Sequence, residues 1–227
     1  MTHAHAATVA DGDLVATGIS YARAGRVILD DVSIRARAGQ VTGLVGPSGS
    51  GKTSFLAILA GLEQPDAGSV QRPGSLDDLG LVLQAYGLAS LLTAAENVEI
   101  PLQTGRHGAL GPAAIRARAA DALELVDLSA VAGHLTEELS GGQQQRVAIA
   151  RAVVTEPRIL LADEFTAELD HASRERAVEL VFRSARRGGI VVIATHDPGI
   201  VAQCDHVVYL SSGRIRDAAP PRHAAVG

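Results

Sequence analysis

The sequence predicts an α/β fold with a mainly parallel sheet, an antiparallel β edge subdomain and an inserted α-helical subdomain. Three observations carry this. Apolar runs of strand length alternate with segments of helical periodicity in the middle and last part of the chain, as in a parallel sheet with crossover helices. Short β-prone runs broken by turns fill 13–45, and a helical stretch over 85–138 interrupts the alternation. Apolar residues make up 47% of the 227 residues and aromatics only 3%, so the core must come from Ala, Val, Leu and Ile, which suits packed α/β layers.

Taken in order, "LVATGISY", "RVILDDVSI" and "GQVTGLVG" read as strands. A helix starts near Gly51, because Phe55, Ile58, Leu59 and Leu62 recur at helical spacing, and Gly61 and Pro65 close it. "LGLVLQ" is the next strand. Residues 85–138 read as mostly helical, clearest from Pro112 to Leu128, where Ile115, Ala119, Ala122, Leu123 and Val126 form one stripe. There follow a helix from about Gly142 to Thr155 stopped by Pro157, the strand "RILLAD", a helix from about His171 to Arg187 and the strand "GIVVIATH". "HVVYL", the turn "SSG" and "RIRD" close the chain as a hairpin. Residues 13–217 are expected to form a single domain, with the helical subdomain at about 85–155 and flexible tails at 1–12 and 218–227.

Composition removes several classes. One cysteine, Cys204, excludes an internal disulfide and a Cys-based zinc cluster, and reads as a small buried hydrophobe in a reducing compartment. Nowhere do about 18 apolar residues run together, so no span is expected. The net charge of −5 argues against a nucleic-acid binder. Arg116 and Arg118, and Arg183, Arg186 and Arg187, read as solvated helix faces, and His3 and His5 receive no role.

Gly46 to Thr53 reads "GPSGSGKT", which fits G-x-x-x-x-G-K-[ST] between a predicted strand and a predicted helix. Glycines let backbone N–H groups curl around phosphate oxygens, the helix N-terminus adds its positive end, Lys52 reaches the β- and γ-phosphates, and Thr53 offers a hydroxyl to Mg²⁺. The expected nucleotide contacts are Gly46, Ser48, Gly49, Ser50, Gly51, Lys52, Thr53 and Ser54, which makes the core a P-loop NTPase. "ILLADE" then ends a second apolar strand in two adjacent carboxylates. In a P-loop enzyme Asp163 is placed to hold Mg²⁺, and Glu164, pointing elsewhere, to act as general base on water.

A second motif makes no sense in one copy. "LSGGQ", residues 139–143, puts Ser140 and two glycines at a helix start, a second anion site in a chain that already has a phosphate cradle. "LSGGQQQRVAIARA" resembles the signature of ATP-binding cassette ATPases, and with "GPSGSGKT" upstream and "ILLADE" downstream the resemblance runs from about Leu14 to Ile215. It implies a head-to-tail homodimer with ATP between cradle and signature, so that Ser140, Gly141, Gly142 and Gln143 meet the nucleotide of a second copy. It further implies that Tyr21 stacks on adenine, that Gln84 touches Mg²⁺ and water, that His196 contacts the γ-phosphate and steadies Glu164, and that Asp170 crosses the seam.

The chain departs from that pattern in three places. Phe165 stands where the family usually has Pro. "AELD" replaces Ser-Ala-Leu-Asp and puts Glu168 near the seam, where its charge is expected to slow closure or hydrolysis. The segment between Gly68 and Leu81 is shorter than the usual hairpin and helix. "SLLTAAENVEIPL" and "THDPGIVAQCDHVVYLSSGRI" are similar to the lipoprotein-releasing and macrolide-exporter group. The resemblance therefore implies an ATP-hydrolysing subunit on the cytoplasmic face of the cell membrane, energising a separate transmembrane permease. The alternative is an ATP-driven regulatory module on a cell-division or cell-wall membrane complex. A cassette acting on DNA or ribosomes is a third class, but it usually carries a long coiled-coil insertion or tandem cassettes, and this sequence has neither.

Overall fold

A computed structural model describes residues 12–104 and 107–216. The expected tails, apart from Gly12, lie outside the described residues. Two sheets organise the chain. The first is antiparallel, in the order β2-β1-β4, from β1 (Leu14–Arg23), β2 (Arg26–Ala36) and β4 (Ala67–Gln71). The second has six strands: β5 (Leu79–Val82), β6 (Ile159–Asp163), β7 (Ile190–Ala194), β3 (Val41–Val45), β8 (His206–Ser211) and β9 (Arg214–Arg216), side by side in that order. All its pairings are parallel except the closing β8–β9 hairpin.

Alternation along the central strands splits the apolar residues between two cores. In β6 and β7, Leu160, Ala162, Val191 and Ile193 face α3 (Pro112–Glu124), α4 (Gly141–Val153) and α5 (His171–Arg186). Ile159, Leu161, Ile190, Val192 and Ala194 face the other way, onto α1 (Lys52–Ala60) and the antiparallel sheet. Both strands are buried throughout, which is why they read as continuous apolar runs rather than alternating ones. The parallel order also brings the carboxyl ends of β3, β6 and β7 to one edge, where a ligand crevice belongs in open α/β sheets.

The structure differs from the sequence reading in three places. The strand β4 was not expected, because "AGSVQ" has weak β propensity and is largely exposed. It forms by pairing with β1, and Gly68, at φ 91, lies so close to Thr17 and Gly18 that a Cβ would sit 2.5 Å from their carbonyl oxygens. The shortened segment then needs only a single 3₁₀ turn, Leu76–Asp78, to reach β5. Arg72 between them donates to the carbonyls of Leu59 (2.7 Å) and Ile58 (2.8 Å), capping the end of α1.

The region 85–138 is less helical than expected. Besides α3, its described residues hold only the short α2 (Ala94–Glu99) and 3₁₀ turns. Its loops are satisfied instead by Asn97, fully buried, whose amide nitrogen donates to Ala89, Thr93 and Thr136 while its oxygen accepts from the Ala89 amide. A buried polar group with its bonds filled substitutes for a helical ladder here. The stripe on α3 is nonetheless buried as its period requires. Finally, the strand "LGLVLQ" stops at Val82, and a turn from Leu83 to Tyr86 follows.

Among the other readings, Cys204 is half-buried, its thiol pushed up to about 11 by burial and then by Asp205. Arg186 and Arg187 form surface ion pairs with Glu179 and Glu156. No helix among the described residues is long and apolar enough to cross a membrane.

Candidate functional site

The loop after β3 and the first turn of α1 form one wall of a cavity of about 630 Å³. Gly46 has no room for a side chain: a Cβ would sit 1.9 Å from the Leu210 carbonyl oxygen. Gly51 adopts φ 106, and a Cβ there would meet the Leu29 side chain at 2.8 Å. The turn can therefore close only with glycine at both positions. Lys52, 9% exposed, folds over the loop and donates to the carbonyls of Gly46 (2.8 Å) and Pro47 (3.1 Å). The Ser50 hydroxyl is buried without a hydrogen-bond partner, and Ser50, expected to touch nucleotide, lies under the loop and does not line the cavity.

Opposite the loop stands the end of β6. Asp163 is 1% exposed and its Oδ2 accepts from the Thr53 hydroxyl at 2.6 Å. Burial pushes its carboxyl up, and the bond from Thr53 pulls the other way. Glu164 steps into the left-handed region at φ 45, uncommon for a residue with a side chain. This turns its carboxylate away from that of Asp163 and toward His196, with Nδ1 of His196 2.9 Å from Oε1 of Glu164. An ionised carboxylate only accepts, so Nδ1 carries the proton in that pair. Gln84, at the turn after β5, reaches the same cavity.

The cavity thus gathers Gly46, Ser48, Gly49, Gly51, Lys52, Thr53, Ser54, Gln84, Asp163, Glu164 and His196. Tyr21 does not line it. Its ring packs in the core beneath the antiparallel sheet, 8% exposed, with its hydroxyl 3.1 Å from Glu63, and burial is the first cause that raises its pKa. Arg26, Ile28 and Ala167 line the cavity and were missed, since nothing in "GRVIL" or "FTAEL" marks them in sequence.

The second expected site lies elsewhere, at the start of α4. Ser140 caps the helix reciprocally with Gln143: the Gln143 amide donates to the Ser140 hydroxyl at 3.3 Å, and the Ser140 amide donates to the Gln143 side-chain oxygen at 2.8 Å. The Gln143 side chain is therefore turned back onto its own helix. A Cβ on Gly142 would lie 2.8 Å from the Glu168 carbonyl oxygen, and one on Gly141 would lie 3.4 Å from the Tyr86 hydroxyl and 3.5 Å from Oε2 of Glu168. The amides of these two glycines belong to the first turn and have no partner within the helix. Asp170 caps α5, accepting from the Ser173 amide (3.0 Å) and hydroxyl (2.8 Å).

Residues 29–167 match the model of one protein family, described as ABC transporter. The chain belongs to that family. Similar proteins include the methionine import ATP-binding protein MetN of Caulobacter vibrioides, 39% identical over 86% of this chain and 63% of that protein. The lipoprotein-releasing system ATP-binding protein LolD of Anaeromyxobacter dehalogenans is 39% identical over 87% of this chain and 88% of that one. The chain spans between half and two thirds of the length of several curated relatives that it matches. Among solved structures it is similar to the cassette MJ0796 of Methanocaldococcus jannaschii, with 33% identity, 90% and 97% of the two chains covered and a TM-score of 0.82. MJ0796 has been solved as a dimer and in a post-hydrolysis state bound to ADP and Pi. In this ABC cassette, as the family implies, the P-loop wall and the start of α4 are separate features of one chain.

Proposed function

We propose that this chain is the ATP-binding and ATP-hydrolysing subunit of a transporter, acting as a head-to-tail pair that drives a separate membrane permease from its cytoplasmic face. The observation that carries this reading is the convergence of Lys52, the Thr53–Asp163 pair and the Glu164–His196 pair on one cavity. ATP phosphates fit the loop from Gly46 to Thr53, and Lys52 exchanges its loop carbonyls for phosphate oxygens. The donor set suits Mg²⁺: hard oxygens from Thr53 and Asp163, with Gln84 nearby, and no cluster of three or more carboxylate, His or Cys ligands among the described residues. Mg²⁺ bound there supplies positive charge against the phosphates.

Glu164, aimed away from Asp163, accepts a proton from water, and His196 orients it through Nδ1. The first turn of α4 offers the unpaired amides of Gly141 and Gly142, beside the Ser140 hydroxyl, to the γ-phosphate held by a second copy. Asp170, exposed, follows Leu169, whose side chain lies 4.0 Å from a Cβ built on Gly142. Loss of that phosphate after hydrolysis would release the pair. The packing of Tyr21 favours the open cavity wall around Arg26 and Ile28 as the base-facing side. Identities near 40% to ATP-binding proteins named for methionine import and for lipoprotein release are consistent with the permease setting substrate and direction.

Glu164→Gln should retain ATP binding, slow hydrolysis by about a hundredfold or more and accumulate as a dimer in MgATP. A monomer by light scattering at saturating MgATP would sink the paired mechanism. Captured from detergent-solubilised native membranes, the same variant should bring down a membrane protein. A four-span partner with a large outer domain supports the lipoprotein or macrolide group, and a five- or six-span partner supports import.

A further inference from the structure

Gln84 reaches the cavity from a tight turn rather than from a strand, and a turn this exposed has to be held from outside. Its local bonds are few: the Tyr86 amide donates to the Leu83 carbonyl at 3.0 Å and the Gly87 amide to the Ala85 carbonyl at 2.6 Å. Tyr86 and Gly87 adopt φ 59 and φ 60, so the backbone is in the left-handed region at two successive residues, one of them with a large side chain. Such a conformation persists only where the surroundings over-determine it. The turn is tethered at Val82 by the sheet and again at Ala89, whose amide and carbonyl are both bonded by Asn97. Between those points, among the described residues, one side chain grips its carbonyls.

That side chain is Arg151, in the last turn of α4. Its guanidinium donates to the carbonyl of Tyr86 at 2.8 Å and to that of Gly87 at 2.5 Å. No carboxylate among the described residues pairs with it, although burial works against its charge. A cation is therefore kept in a half-buried place for two backbone carbonyls, a fork that a planar guanidinium satisfies and an ammonium does not. The Tyr86 phenol continues along the helix to its first turn, beside Gly141 and Glu168, and that burial and then the Glu168 charge push the phenol's pKa up. The turn is thus laid along α4 with contacts at both ends of the helix.

We propose that Arg151 is a positioning residue for Gln84, whose fork onto the Tyr86 and Gly87 carbonyls locks the turn presenting Gln84 to the cavity and ties it to the helix that begins at Ser140. The proposal rests on the function proposed above only for what Gln84 does there. The clamp is a statement about this chain alone.

The test compares Arg151→Lys, Gln84→Ala and the double variant. In nucleotide-free protein, Arg151→Lys should speed hydrogen exchange of the Tyr86 and Gly87 amides about tenfold or more, with exchange in β6 unchanged. Its kcat for MgATP should fall about tenfold with KM within about twofold, and the double variant should be no slower than Gln84→Ala alone. Exchange at Tyr86 and Gly87 equal to the parent, or losses that multiply in the double variant, would overturn the proposal. A parental kcat in Gln84→Ala would overturn the role given to Gln84, and the exchange measurement would then decide the clamp by itself. Should Arg151→Lys lose cooperative melting, Gly87→Val disturbs the same fork from the exposed side. It should show the same loss of kcat, again masked by Gln84→Ala, and parental kinetics would count against the clamp.

Discussion

The two regions proposed to meet phosphate are built in opposite ways. The P-loop cavity is closed on several sides by its own chain: its lysine and Asp163 are buried, its glycines are jammed against Leu210 and Leu29, and its carboxylates are paired with Thr53 and His196. The start of α4 is open. Ser140 is exposed, Gln143 is spent on capping, the neighbours of Gly141 are Tyr86 and an exposed acid, Glu168, and Arg146, the nearby cation, is bonded back to the Gly142 carbonyl at 3.4 Å. A seat complete within one chain can be preorganised by packing, whereas the start of α4, under the function proposed above, is half a seat that has to stay accessible to a second copy. That difference can be broken or sharpened by substitution.

The largest effect should come from the complete seat. Lys52→Ala removes the cavity's main cation and should lower ATP binding and turnover by about a thousandfold; normal turnover would overturn the cradle. Next comes the segment that links the two regions. Phe165 is fully buried in the core beneath α4 and α5, between Glu164 at the cavity and Glu168 at α4. Phe165→Ala should cost about 3–5 kcal/mol in urea unfolding. A loss below about 1 kcal/mol would mean that the loop is held by something other than its aromatic anchor.

A smaller effect should follow at the open seat. No basic side chain pairs with Glu168 among the described residues, and its charge would oppose an incoming triphosphate. Exposure and salt screen that repulsion, so Glu168→Ala should raise hydrolysis and ATP-driven dimerisation only about threefold. An unchanged rate would end the idea that this acid slows closure.

The smallest effect concerns the caps outside the cavity. Backbone bonds from Thr93 and Ser173, reinforced by their hydroxyls, hold Glu96 and Asp170 below the usual carboxylate range. A folded pKa below the unfolded one gives stability that is fully present above the unfolded value, about 4, and is lost as pH falls through the folded value. Removing both in Glu96→Gln with Asp170→Asn should therefore flatten the fall in melting temperature between about pH 5 and pH 3. An acid-induced fall as steep as the parent's would show that other carboxylates dominate.

Much of this was legible in the order of residues. "GPSGSGKT", "ILLADE" and "LSGGQ" each draw on local chemistry: glycines for close backbone approach, a strand that ends in an acid, a capped helix start. Periodicity likewise gave the central strands and α3, α4 and α5, because burial on one face or on two leaves its period in the chain. Those features depend on neighbours a few residues away. Tyr21 in the core, β4 paired on β1, Glu168 against α4 and Arg151 on the turn after Gln84 depend on partners 26 to 65 residues distant or on which side of a sheet a ring falls. Only the packed chain brings such groups together, because burial and the pairing of polar groups are satisfied across the whole fold and not within any one segment.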